Sequence, residues 1–389
     1  MALEFPNNFP FNRKHPAVKD YQTESAQQDA IAAALGMDFH RTTVGPRDIA
    51  QAFPRVVELA ERPLLRTAPA PLLALSGRVR AAGLKVVLTG EGADELFAGY
   101  DLFREDKIRR FWARYPESPA RPKLLGRLNR FLATDPARAQ AFVTRFYGRG
   151  LLDVDDPLYS HRLRFANTGR CVALLDPEIT AAALPVEPRV RAALPDGFAA
   201  ASPLSRAQHV EIATFLEGYL LHAQGDRMLM GNSIEGRFPY LDVRVAEFAA
   251  RLPDSLRLRG LQEKYALRRA VARRLPRAIS ERPKVPYRAP IREVFFGAER
   301  PDYVAELMRT QPVADAGILD PAAVGRVVAK FERGGPVSEK DEMSLVRSVS
   351  VMLMHERFVA RPVLAPAAHP TREVTGDEIV AAAPLARAA

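Results

Sequence analysis

The residues best suited to chemistry stand in two dense polar clusters. The first is LKVVLTGEGADELFAGY, Leu84 to Tyr100, in which a short apolar strand runs into a turn spaced by Gly90 and Gly92. Those glycines let backbone N–H groups approach an anion closely. Glu91, Asp94 and Glu95 put carboxylates at the carboxyl end of what reads as a buried strand, the edge at which open α/β sheets bind ligands. The pattern suits phosphate and metal. The second cluster is QGDRMLMGNSIEGRFPYLD, Gln224 to Asp242, followed by Glu263-Lys264-Tyr265 and Arg282-Pro283-Lys284. Charges set among Met, Leu, Ile, Phe and Tyr must be paired or face a site if that segment is buried.

Other chemistries find little support. HExxH, GxSxG, GxxxxGK[ST] and GxGxxG are absent, and the seven histidines are scattered, which argues against zinc chemistry and a Ser/His/Asp hydrolase. The single cysteine, Cys171, excludes an internal disulfide and reads as a small buried apolar residue. A formal charge of +10 invites nucleic acid as a partner. The basic residues are spread along the chain without a basic tail or interleaved aromatics, so a solvated face is expected and no nucleic-acid partner. No apolar run is long enough for a membrane span, and the N-terminus has no signal-peptide pattern, so a cytoplasmic protein without a membrane partner is expected.

The elements that must position these clusters follow a βα rhythm. TESAQQDAIAAALG reads as a helix with Thr23 or Ser25 as N-cap and Gly36 past its end, and FHRTTV as a strand. Helices fit Pro46 to Ala60 and Pro71 to Ala82, the second stopped by Gly83 ahead of the strand Leu84 to Thr89. Strands separated by such helices predict an α/β fold with a parallel, doubly wound sheet. From Asp101 to Leu221 the pattern is helical with proline breaks, and no strand is expected. With 47% apolar residues the 389-residue chain can bury a substantial core. The expected organisation is an extended opening segment over 1–22, a domain over 23–362 with a helical portion over about 101–280, and a mobile Ala/Pro-rich tail over 363–389.

Together the clusters resemble the C-terminal synthetase domain of the glutamine-hydrolysing asparagine synthetases. TGEGADELFAGY is similar to that family's SGEGSDE or SGEGADE followed by GGY or a variant. Asp226 to Asp242 is similar to DRMSMAHSLEARVPFLD, Lys264 to Arg268 to K-Y-x-L-R, and Glu281 to Lys284 to WRPK. The resemblance runs from about Thr23 to Arg292. It implies an ATP-pyrophosphatase fold with a parallel sheet and a large helical portion. It also implies a reaction in which ATP and Mg2+ activate a carboxylate as an acyl-adenylate, after which an amine displaces AMP. Aspartate would give asparagine through a β-aspartyl-AMP, with ammonia from glutamine.

By position, the resemblance makes Asp94 the magnesium aspartate and Glu91 the glutamate needed for adenylate formation. Thr89, Gly90 and Gly92 become the strand end at the nucleotide. Lys264 becomes the cation on phosphate or oxyanion. Glu235 and Arg237 would hold the wall of the site or form a purely structural pair. Arg227 and Lys284 are further substrate-side candidates, and Arg66 and Thr67, in LRTAP, are candidate aspartate contacts. Glu91 favours the asparagine synthetases over β-lactam-forming relatives, which tend to have tyrosine there. β-Lactam or lasso-peptide ring closure, and a non-catalytic partner of a complete synthetase, remain alternatives.

Two family parts do not occur in the sequence: the glutaminase domain that begins Met-Cys, and the SGGxDS pyrophosphate loop. An N-terminally truncated gene product, a split enzyme with a separate glutaminase chain, and a degenerate protein would each account for this. A homodimer is also compatible with the resemblance.

Overall fold

The computed structural model describes residues 2–4, 28–128, 136–282 and 287–361. Thr23, Ser25 and Lys284, most of the segment expected to be extended and the whole 363–389 tail lie outside the described residues.

Two short parallel strand pairs sit in a mostly helical molecule. Strand β1 (Ala2–Glu4) pairs with β2 (Arg41–Thr43), a partner that the sequence reading did not place. A helix at 28–35 precedes β2 and ends at Gly36, whose φ of +61° takes the left-handed conformation expected of a helix stop. Helix α1 (Pro46–Ala60) has the predicted limits: Pro46 opens it, and Asp48 Oδ2 accepts the Gly45 N–H at 2.7 Å. Its buried stripe is Ile49, Ala50, Phe53, Val56, Val57 and Ala60, the spacing of one helical face. Pro54 lacks the N–H that would bond the Ala50 carbonyl. The Tyr303 hydroxyl donates to that carbonyl at 3.0 Å instead.

Helix α2 (Pro69–Ala81) begins two residues earlier than expected and is followed by Gly83 at φ +79°. Strand β3 (Val86–Leu88) then leads into the glycine turn and a short helix, α3 (Ala93–Leu96). After α4 (Asp101–Ala113) the chain is helical, and among the described residues of 101–221 no strand forms. Helix α5 (Pro203–Glu211) continues into a π-helical stretch, Ile212–Asp226, and β4 (Glu235–Arg237) follows. Helix α6 (Tyr265–Val271) comes next, and α7 (Glu339–His355) is the long helix near the end. The main core packs α1 against α7 and residues 291–331, with Phe53 and Phe295 meeting edge to face at 5.1 Å. Cys171 is buried there, as its sequence context suggested. No described helix is long and apolar enough to cross a membrane.

The sheet departs from expectation. The strands are parallel, but among the described residues they form two separate pairs, β1–β2 and β3–β4, in place of one doubly wound sheet. With only β4 beside it, β3 is not the buried strand its apolar composition suggested: Leu88 is 75% exposed, and Leu84 and Val86 are exposed too. Strands of parallel sheets are normally covered on both faces, which is why their sequences carry uninterrupted apolar runs.

Candidate active site

The β3–β4 pairing brings the two sequence clusters together. Val86, Val87 and Leu88 lie opposite Glu235, Gly236 and Arg237, and the ladder continues through the Thr89 N–H to the Arg237 carbonyl at 2.9 Å. The turn 89–92 therefore leaves β3 beside the end of β4. Gly92 turns the chain at φ +89°, and a Cβ there would stand 2.3 Å from Leu241 Cδ2. Only glycine satisfies both conditions. Gly90, by contrast, is exposed, and a Cβ on it would meet nothing within 4 Å.

The three acids of the turn separate in space. Asp94 meets Lys264, with Nζ 3.0 Å from Oδ1. Lys264 precedes α6 in a left-handed conformation, φ +51°, and its N–H donates to the Phe97 carbonyl at 3.0 Å. Glu91 has its Oε2 buried without a hydrogen-bond partner in the protein, and Thr89 Oγ1 is in the same condition. Buried polar atoms are normally paired, so two orphans on one turn mark a place where an external group fits. Glu95 does not face this place. It is buried, accepts a 2.6 Å bond from the Tyr100 hydroxyl, and burial pushes its carboxyl above the ordinary range despite that bond. The expectation that all three carboxylates line the strand end is corrected: Glu95 is part of the support.

That support is the portion the sequence reading missed. Gln208 on α5 donates from Nε2 to the carbonyls of Glu95 at 2.6 Å and Leu96 at 2.9 Å, and its Oε1 accepts from Arg257 at 2.5 Å. Arg257 is fixed in turn by Asp254 at 2.6 Å and Ser205 at 2.9 Å. Beneath Lys264, buried Glu263 pairs with Arg268, which also donates to the carbonyls of Glu263 at 3.0 Å and Ser280 at 2.9 Å. The arginine of the KYALR string thus braces the backbone that presents Lys264.

The remaining candidates are engaged in other ways. Glu235 and Arg237 pair with each other at 2.7 Å on the exposed face of β4. Arg227 donates to Glu61 at 2.9 Å and to His222 at 3.3 Å. Arg66 donates to Glu339 at 2.6 Å; burial raises the Glu339 carboxyl, but Arg66 and Arg288 outweigh it and hold the group low. Thr67 is wholly buried, with its hydroxyl on the Pro290 carbonyl at 2.7 Å. A Ser160–His161–Glu211 array does form, with 2.8 Å at each step. It is sealed in the interior, and Arg164 binds Glu211 through both carboxylate oxygens, so the array serves packing.

A magnesium cage is not present among the described residues, which contain no group of three or more His, Cys, Asp or Glu suited to a metal. Magnesium bound with a nucleotide does not need one, because one or two carboxylates and the phosphates suffice. Asp94, which lies beside Lys264 at the turn, is the carboxylate that could serve in that arrangement.

Comparison with known proteins decides the family. The asparagine synthase profile matches residues 11–356, nearly the whole chain. The chain belongs to the asparagine synthase family. A Mycobacterium bovis protein provisionally named asparagine synthetase [glutamine-hydrolyzing] is 30% identical over 338 residues, covering 86% of this chain and 49% of that protein. Asparagine synthetase [glutamine-hydrolyzing] 1 of Bacillus subtilis is 28% identical over 291 residues, 72% of this chain and 43% of its own length. Amidase chyE of Penicillium rubens is 29% identical over 382 residues, 92% of this chain and 55% of its own length. The chain thus spans about half the length of the curated relatives it matches. The ATP-pyrophosphatase fold of the asparagine synthase family is compatible with a mostly helical protein that contains short parallel strand pairs.

Proposed function

We propose that this chain carries out ATP-dependent, AMP-forming amide synthesis, with the aspartate side chain as the carboxylate and ammonia derived from glutamine as the amine. The observation that carries the reading is the meeting of Asp94 and Lys264 at 3.0 Å beside a turn with two orphaned buried oxygens. Magnesium, when bound, would neutralise phosphate charge. Asp94 is the carboxylate that would hold it. The backbone of Gly90 and the hydroxyl of Thr89 would orient the nucleotide. Glu91 would serve the adenylate-forming step, the role that its position in the turn implies. Lys264 would offset negative charge as pyrophosphate leaves and again when the tetrahedral oxyanion forms. Gly92 and Gln208 would keep the turn in place through both steps.

The sequence holds no SGGxDS loop, and on this reading a second phosphate cradle would be supplied by a polypeptide segment outside it, in a separate glutaminase-bearing chain or otherwise. The test is aspartate-dependent exchange of labelled pyrophosphate into ATP. The chain alone should give little exchange, and adding a polypeptide that bears the loop should restore it. Strong exchange by the chain alone would show that the loop is dispensable. No aspartate-dependent exchange in either arrangement would defeat the aspartate reading. In a second reading within the same family, a carboxylate other than aspartate is activated, as the resemblance to β-lactam- and lasso-peptide-forming relatives allows. Running the exchange with a panel of carboxylates separates the two.

A further inference from the structure

The carboxylate that the proposed reaction requires for a cation is already paired. Lys264 Nζ lies 3.0 Å from Asp94 Oδ1, and both side chains are largely shielded, with 20% and 16% of their surface exposed. Two independent features hold the ammonium there. The Lys264 backbone takes a left-handed conformation that is uncommon for a long side chain, and its N–H is tied to Phe97, the residue just past α3, which carries Asp94. Gly99 provides the other. A Cβ at Gly99 would stand 2.1 Å from Asp94 Oδ1 and 2.3 Å from Lys264 Cε, so the pair forms across a backbone that only glycine leaves clear.

We propose that Lys264 is a built-in competitor of the cation: its ammonium occupies the position on Asp94 that a divalent ion takes, and the ion must displace it. This rests on the reading of Asp94 as the cation carboxylate. A dication and an ammonium on one carboxylate oxygen repel strongly in a shielded site. The Lys264 Cα stays anchored through Phe97 while the long side chain rotates. The displaced charge therefore remains beside the turn, available to the phosphates that arrive with the ion. Cation binding without nucleotide is then weak, and the nucleotide strengthens it by giving the released ammonium a new partner.

The probe is Mn2+ alone, titrated into the full chain without nucleotide and followed by the electron paramagnetic resonance of the free ion. Lys264→Met and Lys264→Gln should each bind Mn2+ roughly three- to tenfold more tightly than the unmodified chain, the range expected when a partly shielded ion pair no longer opposes binding. Lys107→Met is the control for general charge, since the Lys107 ammonium reaches the Leu258 carbonyl at 3.2 Å; it should leave the affinity unchanged. Lys264 variants that bind no more tightly, or no more tightly than Lys107→Met, overturn the proposal. Asp94→Asn separates the two levels of failure. If it weakens Mn2+ binding while the Lys264 variants bring no gain, only the competition is wrong; if it changes nothing, Asp94 is not the cation carboxylate and the functional reading fails with it. A measurement on the unmodified chain guards against misfolded variants: acylation of Lys264, followed by mass spectrometry, should rise when Mn2+ is added, and an unchanged rate also overturns the proposal.

Discussion

The backbone of Gly99 passes so close to Asp94 that a Cβ on Gly99 would stand 2.1 Å from Oδ1, while the Gly99 N–H donates to the Asp94 carbonyl at 2.7 Å. Asp94 is therefore enclosed from two sides by one residue. Gly99→Ala should move the carboxylate and the lysine together, because the same Cβ would also meet Lys264 Cε at 2.3 Å. Overpacking of this kind costs about 2 kcal/mol. Urea denaturation should show a lower midpoint with an unchanged slope. A midpoint equal to that of the unmodified chain would mean that the pair is not seated against Gly99.

Gln208 provides a second test of the support. Its Nε2 donates to two carbonyls of α3 and its Oε1 accepts a hydrogen bond from Arg257, so Gln208→Leu leaves two acceptors and a buried guanidinium donor unsatisfied. Each lost partner in the interior costs on the order of 1–3 kcal/mol, and the combined loss should be about 3 kcal/mol. Gln208→Glu preserves the bond to Arg257 but places an oxygen against the Glu95 and Leu96 carbonyls. Its stability, measured by the same denaturation, should fall between the other two. Equal stability of all three would remove Gln208 from the support of the turn.

What the sequence revealed depended on the range of the interactions involved. Helix α1 was legible because its signals are local: Pro46 at the start, Asp48 in the first turn and an apolar stripe from Ile49 to Ala60. The turn at Gly90 and Gly92 was legible for the same reason. Strand β4 was not, since Glu235, Gly236 and Arg237 have no strand composition and are extended because β3 offers them a ladder. The reading that Glu95 faces a ligand failed through partners at Tyr100 and Gln208, the second more than a hundred residues away. Tyr303 completing the α1 ladder at Ala50 is equally non-local. The exposure of β3 was illegible because an apolar run reports how a strand is covered in a complete sheet, and the described residues place only β4 beside it.

Glu105 gives the protein a pH dependence of definite sign. Burial, and after it the charge of Asp101, push its carboxyl from 4.5 to about 7, although Tyr147 donates to it at 3.1 Å. The folded state thus holds this proton more tightly than the unfolded chain. The stabilisation is fully present below the unfolded value of 4.5 and is lost as pH rises through about 7. Glu105→Gln should therefore gain stability relative to the unmodified chain between pH 5 and pH 8, by on the order of 2 kcal/mol across that range. Denaturation at a series of pH values measures the difference directly. A difference independent of pH would show that Glu105 titrates alike in both states.

Thr89 separates a site that awaits a ligand from one that merely holds the fold. Its Oγ1 is buried without a hydrogen-bond partner in the protein, at the end of β3 where the turn begins. A hydroxyl kept for the fold would be bonded, and replacing it by a methyl group of similar size would destabilise the chain by roughly 1 kcal/mol. An orphaned hydroxyl has the opposite signature: Thr89→Val should be neutral or more stable by up to about 1 kcal/mol, because an unsatisfied polar atom leaves the interior. The same substitution should reduce the thermal stabilisation that MgATP gives to the chain, since an oxygen available to the nucleotide is gone. Stability and ligand response would then move in opposite directions, as expected where a site retains groups the fold does not need. Thr89→Val that lowers stability and leaves the MgATP response intact would assign the hydroxyl to the fold and remove it from the site.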